Sequence, residues 1–163
     1  MDPTIEVRTS PIEGRGLFAT AQLPIDHVAV RLGGELVKTV ELQRRLDAVE
    51  TADDSTFIDS IAIYGDAHLV LPDRSDAHFG NHSCDPNLWY VGPFDLVTRR
   101  SVEPGEELTI DYGTVSGAPG FSMVCTCSAT GCRGVVTSND WKRRELRVRY
   151  GNHWTPALLV RIA

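Results

Sequence analysis

The sequence predicts a mostly β domain of short strands with two helices. Three observations carry this. Short alternating or β-branched apolar runs recur along the chain, and turn residues separate them. Within the body of the chain, only residues 39–50 show a clear helical period. A second helical stretch, 140–150, comes near the end.

Residues 4–8 alternate polar and apolar, which is a half-buried strand pattern. In Gly14-Arg15-Gly16, two glycines flank one residue, so the backbone can bend sharply and approach a ligand. By itself this reads equally as a plain turn. Leu17-Phe18-Ala19 continues as a strand, and 26–31 forms another, broken by Gly33-Gly34. Over 39–50, Thr39 is placed to cap the first turn. Leu42, Leu46 and Val49 form a stripe expected to be buried, with charged residues on the other face. Residues 51–55 read as a loop.

Residues 56–63 and 67–71 read as a hairpin joined by Tyr64-Gly65-Asp66. Residues 73–80 have no clear period and room for one helical turn. Strands 88–91 and 94–99 flank Gly92-Pro93, and a strand over 108–110 ends in Asp111-Tyr112-Gly113. Residues 113–120, rich in Gly, Ser and Pro, read as a linker. Ser138 or Asn139 is placed to cap the last helix, and Gly151 to stop it. There are no internal repeats.

At 163 residues the chain is most simply one domain with a proper core. No apolar run approaches the length that spans a bilayer, and the acidic N-terminus lacks a signal-peptide pattern. A cytoplasmic location is the expectation, nuclear in a eukaryote. Sixteen Lys/Arg against 22 Asp/Glu give −6, which argues against nucleic-acid binding. Residues 138–163 hold six Lys/Arg and two acids, so +4, leaving −10 elsewhere. An acidic body favours a basic substrate or partner; it also serves plain solubility. The basic stripe Lys142-Arg143-Arg144-Arg147 reads first as a solvated helix face.

The densest functional signal is Asn81-His82-Ser83-Cys84-Asp85-Pro86-Asn87. It is a polar loop with a cysteine and a proline, the kind of segment that carries chemistry in a small domain. The four cysteines are Cys84, Cys125, Cys127 and Cys132, three of them within C-T-C-S-A-T-G-C. In a reducing compartment this reads as a closed tetrahedral zinc site, with Cys84 as the fourth ligand. A disulfide within one pair is the alternative.

Together the motifs resemble the SET-domain family of lysine methyltransferases. Gly14-Arg15-Gly16-Leu17-Phe18-Ala19 is similar to its G-x-G opening, and Gly34-Glu35-Leu36-Val37 to the element that follows. The heptapeptide matches N-H-S-C-x-P-N throughout. Gly105-Glu106-Glu107-Leu108-Thr109-Ile110-Asp111-Tyr112 resembles G-E-E-L-x-x-D-Y, and Cys125-x-Cys127-x₄-Cys132-Arg133-Gly134 resembles the post-SET zinc loop. The matches occur in the family's order.

The resemblance implies a β-clip fold of small sheets with a pseudoknot-like threading of the C-terminal part. It implies a SET domain over 4–113, a post-SET zinc loop over 121–137 and a C-terminal helical extension over 138–163. It also implies S-adenosylmethionine as methyl donor and a protein lysine as acceptor, meeting in a narrow channel. Gly14, Arg15 and Gly16 are expected to hold the methionine end of the donor, the Asn81 side chain its amino group and the His82 backbone its adenine. Tyr112 is the expected catalytic phenol, and Cys84, Cys125, Cys127 and Cys132 the ligands of structural zinc. No direct contact with nucleic acid or membrane is expected.

The sequence departs from the family in places. His78-Phe79 stands where Arg-Phe is usual, and Ile110 where an aromatic is usual two residues before the tyrosine. No cysteine-rich region precedes the domain, which suggests a stand-alone form without that support for a histone substrate. Ile110 has no hydroxyl and is smaller than either ring, so a roomier apolar pocket and di- or trimethylation are expected. Phe57 is placed to reach the same pocket. Two alternatives from other classes are a methyltransferase for a small-molecule amine and a non-catalytic peptide-binding module. Intact Tyr112, Asn81 and G-x-G weigh against the module.

Overall fold

The computed structural model describes residues 1–51, 57–115 and 120–163. Twelve short strands and three α-helices are assigned among them. The first sheet contains β1 (Ile5–Thr9), β2 (Arg15–Ala19), β10 (Glu107–Ile110) and β7 (Asn81–His82), in the order β1-β2-β10-β7. The second contains β3 (Val28–Arg31), β9 (Asp95–Thr98) and β8 (Leu88–Val91). The third contains β4 (Glu35–Lys38), β6 (Ala67–Val70) and β5 (Ser60–Tyr64). β11 (Ser122–Val124) pairs with β12 (Val135–Thr137) as a separate hairpin around the cysteine loop.

Local turn chemistry explains the antiparallel neighbours. Gly65 (φ +55°) and Gly92 (φ +64°) adopt the left-handed conformation that lets β5–β6 and β8–β9 reverse tightly. The first sheet is different. β10 runs antiparallel to β2 and parallel to β7, pairing Leu108 with Leu17 and Ile110 with His82. Three distant chain segments thus meet in adjacent strands, and the Gly14–Gly16 turn, the heptapeptide and the Asp111-Tyr112 end share one edge of the molecule. The main core lies between the sheets and includes Leu17, Leu23, Val30, Ile63, Leu69, Leu88, Val102 and Leu108.

Helix α1 (Thr39–Thr51) lies where its period puts it, but its stripe is only partly covered. Leu42 is buried, while Leu46 is 38% exposed, because among the described residues the helix packs mainly on β4 and β6 along one side. Thr39 turns its hydroxyl to the Asp66 carbonyl and to His68 Nε2 (2.9 Å), tying the helix start to the hairpin rather than capping its own turn. Residues 73–80 contain a 3₁₀ turn, Asp76–Phe79, whose N-terminal cap is Ser75. Of the expected loop at 51–55, Thr51 belongs instead to α1 and 52–55 lie outside the described residues; the expected linker begins later than 113. Tyr112–Thr114 form a 3₁₀ turn with Gly113 and Thr114 buried, and 116–119 lie outside the described residues.

The last helix is also corrected. Residues 140–142 form a 3₁₀ turn, Arg143 is extended, and α2 begins only at Arg144 (Arg144–Tyr150). Asp140 is the cause: buried, it accepts from Thr137 Oγ1 and lies 3.1 Å from Arg133 Nε, so it is held by tertiary partners outside a helical line. Asn139 makes no side-chain cap. A third helix, α3 (Pro156–Ile162), went unforeseen although Thr155-Pro156 marks a helix start. α2 and α3 bury Leu146, Tyr150, Trp154 and Leu158 against one another. His153 lies flat on Trp89 (3.5 Å, 1°) and its Nδ1 donates to the Tyr90 carbonyl (2.8 Å), which fastens this unit to β8. No described helix is long and apolar enough to cross a membrane.

Trp154 is almost wholly buried and edge-on to Tyr150. Replacing it with Ala leaves a large void, so Trp154→Ala is expected to cost about 3–5 kcal/mol, read as a lower urea midpoint in equilibrium unfolding.

Candidate active site

The G-x-G turn is held by side chains from both of its neighbouring strands. Asn81 Nδ2 donates to the carbonyls of Glu13 (3.1 Å) and Arg15 (3.0 Å) and to Glu107 Oε1 (2.8 Å). Ser10 Oγ donates to the same carboxylate (2.8 Å). A Cβ at Gly16 would lie 2.1 Å from Glu107 Oε1, so the second glycine makes room for this carboxylate. Gly14, at φ +45°, supplies the turn itself. The Arg15 guanidinium stacks on Phe79, 4.4 Å from its centroid. Two carbonyls and one carboxylate therefore converge beside Asn81, an acceptor-rich corner that suits a cationic, hydrogen-donating ligand.

Tyr112 is fixed at both ends. Its N–H donates to His82 Nδ1 (3.1 Å) and its hydroxyl donates to the Gly80 carbonyl (3.0 Å). Burial first, then the charges of Asp59 and Glu107, raise its pKa above the ordinary phenol value. The phenol thus stays protonated at neutral pH. It lines a cavity of about 300 Å³, together with Ile110, Phe57, Asp59, His78, Tyr90 and Phe121 among others. Burial and the Asp59 charge also push the Tyr90 pKa up.

The imidazole of His82 is buried and neutral. Burial lowers its pKa, outweighing the pull of Asp111. Because Nδ1 accepts from Tyr112, the proton sits on Nε2, which faces Cys84 Sγ at 3.4 Å. The 3.7 Å separation between Nδ1 and Asp111 Oδ1 is therefore not an ion pair.

The four cysteines meet beside this ring. Cys84 and Cys132 each place Sγ 3.7 Å from Cys125 Sγ. The Cys84 N–H points at Cys127 Sγ (3.3 Å) and the Arg133 N–H at Cys84 Sγ (3.3 Å). All four are free thiols, so no disulfide forms. His82, Cys84, Cys125 and Cys127 offer ligand atoms within 4.8 Å of one another. Five groups thus crowd a site for four. Tetrahedral Zn–S bonds of about 2.3 Å require sulfurs about 3.8 Å apart, which the two 3.7 Å edges match. His82 Nε2 carries its proton and has no lone pair to give, so Cys132, with Sγ 3.7 Å from Cys125 Sγ, suits the fourth position better than the ring.

Behind Tyr112 lies a buried charge cluster. Asp111 accepts two bonds from Arg133 (2.6 Å each) and one from the Tyr150 hydroxyl (2.8 Å). Arg133 Nε and Asp140 Oδ2 are 3.1 Å apart but not aligned for a hydrogen bond.

The sequence model described as SET domain matches residues 14–113, more than half of the chain. The chain belongs to the SET domain family. Histone-lysine N-methyltransferase ash1 of Drosophila melanogaster is 33% identical over 123 residues, covering 69% of this chain and 5% of that protein. Histone-lysine N-methyltransferase SUV39H2 of Gallus gallus is 29% identical, covering 79% of this chain and 38% of its own length. The chain thus spans well under half of either relative. The methyltransferase domain of human SETMAR superposes with a TM-score of 0.62 at 24% identity, over 81% of this chain and 57% of that one, and shares the fold.

Within this SET domain, Gly14, Arg15, Gly16 and Asn81 gather at the acceptor-rich corner, and Tyr112, Ile110 and Phe57 at the cavity. His82 turns its side chain away from both, toward the cysteines, while its backbone sits in β7 beside Ile110. Sequence reasoning missed Glu107, Asp59, His78 and Arg133. Glu107 and Arg133 were within reach, since one lies in the G-E-E run and the other directly follows Cys132. Nothing local marks Asp59, whose position depends on how β5 packs.

Gly16→Ala must displace the Glu107 carboxylate and with it the bonds to Ser10 and Asn81. The expected loss is about 1–3 kcal/mol, and the double variant with Glu107→Ala should lose less than the sum. Thermal unfolding of the two single variants and the double variant measures it.

Proposed function

We propose that this SET domain is an S-adenosylmethionine-dependent protein-lysine methyltransferase. The observation that carries the reading is the first sheet. Through the β2–β10–β7 arrangement it sets an ammonium-accepting corner and a doubly anchored phenol next to one another. The ash1 and SUV39H2 relatives carry histone-lysine methyltransferase names, which makes core histones the first acceptors to test.

S-adenosylmethionine supplies a methyl group on a sulfonium. The Glu13 and Arg15 carbonyls, with Asn81, suit the donor's ammonium, and the resemblance gives the His82 backbone to its adenine. The acceptor lysine must shed a proton before it can attack, because an ammonium has no lone pair. At a free pKa near ~10.4 only about one in a thousand is neutral at pH 7. The apolar cavity walls favour the neutral amine by desolvation. Tyr112 is not the base in this scheme. It keeps its proton, which it hydrogen-bonds to the Gly80 carbonyl, so its oxygen orients and stabilises the reacting groups. Ile110 lines the cavity without a hydroxyl, which supports transfer of more than one methyl. Cys84, Cys125, Cys127 and Cys132 are proposed to hold a structural zinc that fixes the loop after β11.

Two outcomes test this. Tyr112→Phe is expected to lower turnover at least about a hundredfold while leaving donor affinity within about twofold, measured by radiolabel transfer to core histones and by calorimetry. Wild-type turnover in Tyr112→Phe would remove the role given to the phenol. Metal analysis should find one zinc per chain, kept in His82→Asn and lost in Cys132→Ser. The opposite pattern would make His82 the fourth ligand.

A further inference from the structure

Phe57, Asp59, Ser60 and Ile61, leading into β5, all line the cavity. Exposure falls along them. Phe57 is 73% exposed, the Asp59 side chain 33% and Ile61 6%, so Asp59 stands between the rim and the floor. Among the described lining residues it is the one acid, and most of the rest are apolar. Its Oδ2 meets His78 Nδ1 at 3.0 Å, and His78 Nε2 meets the Pro72 carbonyl at 2.8 Å. The two ring nitrogens thus span the Pro72 carbonyl and the carboxylate, which holds Asp59 in place. His78 is the only side-chain partner of Asp59 among the described residues, and Oδ1 remains open to a ligand. The Asp59 charge reaches the Tyr112 and Tyr90 phenols as well.

An alkyl chain with a cationic end suits such a passage: apolar wall for the methylenes, one carboxylate part-way down for the charge. We propose that Asp59, positioned by His78, is a specificity residue that admits a primary alkylammonium to the cavity. The inference deepens the lysine reading and rests on it. The lysine enters protonated, meets Asp59 in the partly solvated passage, and releases its proton to solvent there, so that the neutral amine passes on to Ile110 and Tyr112. His78 occupies the place where the family usually carries Arg, so this pairing belongs to the chain's own departure.

The test uses the full chain with S-adenosylhomocysteine present, and two peptides identical except for lysine or norleucine at one position. Asp59→Asn should lower affinity for the lysine peptide roughly five- to tenfold, the size of one partly exposed charged contact, and leave the norleucine peptide unchanged. Asp59→Glu keeps the charge and should recover most of the loss. Donor affinity should be equal in all three proteins, which separates this role from a structural one. A lysine-to-norleucine ratio in Asp59→Asn equal to that of the wild type overturns the assignment. If the ratio shifts as expected but the wild type transfers no methyl to any lysine, the proposed activity fails and the role of Asp59 stands.

Discussion

The arrangement depends on the Asp111 carboxylate, which is almost wholly buried. Burial would raise its pKa, but the paired hydrogen bonds and charge of Arg133, aided by Tyr150, hold it below the usual carboxylate range. A buried charge costs several kcal/mol unless its partners are complete. Completeness here requires three parts of the chain: the end of β10, the residue after Cys132, and the last turn of α2. The same carboxylate accepts the Gly113 N–H and shapes the 3₁₀ turn that begins at Tyr112. The phenol's position therefore follows from an ion pair on the far side of its own backbone.

The cysteine loop is bound into the same structure. Arg133 gives its N–H to Cys84 Sγ and its guanidinium to Asp111, so one residue joins the thiol cluster to the Tyr112 segment. Arg149 adds a bond to the Cys84 carbonyl from α2 (2.7 Å). The basic stripe Lys142-Arg143-Arg144-Arg147 is thus partly structural, since Arg147 donates to the Trp141 carbonyl; Arg149, next along α2, donates to the heptapeptide.

Much of this was legible in the sequence, for identifiable reasons. Hairpins such as β5–β6 announce themselves because a positive-φ glycine sits between two β-branched runs. The heptapeptide, the Asp111-Tyr112 end and the cysteine spacing identified the family, and the matching region confirms it. The parallel pairing of β7 with β10 left no local trace, because a two-residue strand has no period to read. Asp140 broke the expected helix through partners that only the folded chain brings near. Asp59 fell inside an expected strand and His78 stood out only as a departure from the family's Arg; 19 positions separate them and no motif contains both, so nothing in the sequence paired them. Leu46 fitted a helical stripe that the neighbouring sheet is too small to cover.

The order of the pieces along the chain has a consequence for biosynthesis. Asp111 leaves the ribosome well before the arginine and tyrosine that neutralise and bind it, at 133 and 150. Until those residues emerge, the carboxylate is better solvated by water than buried, and the Tyr112 turn has no reason to close. A nascent chain can fold its hairpins early, because their contacts are local, but the Tyr112 turn stays unsupported until Arg133 and α2 dock. Completion of the Tyr112 turn is therefore deferred until residues 133 and 150 have been made and have docked.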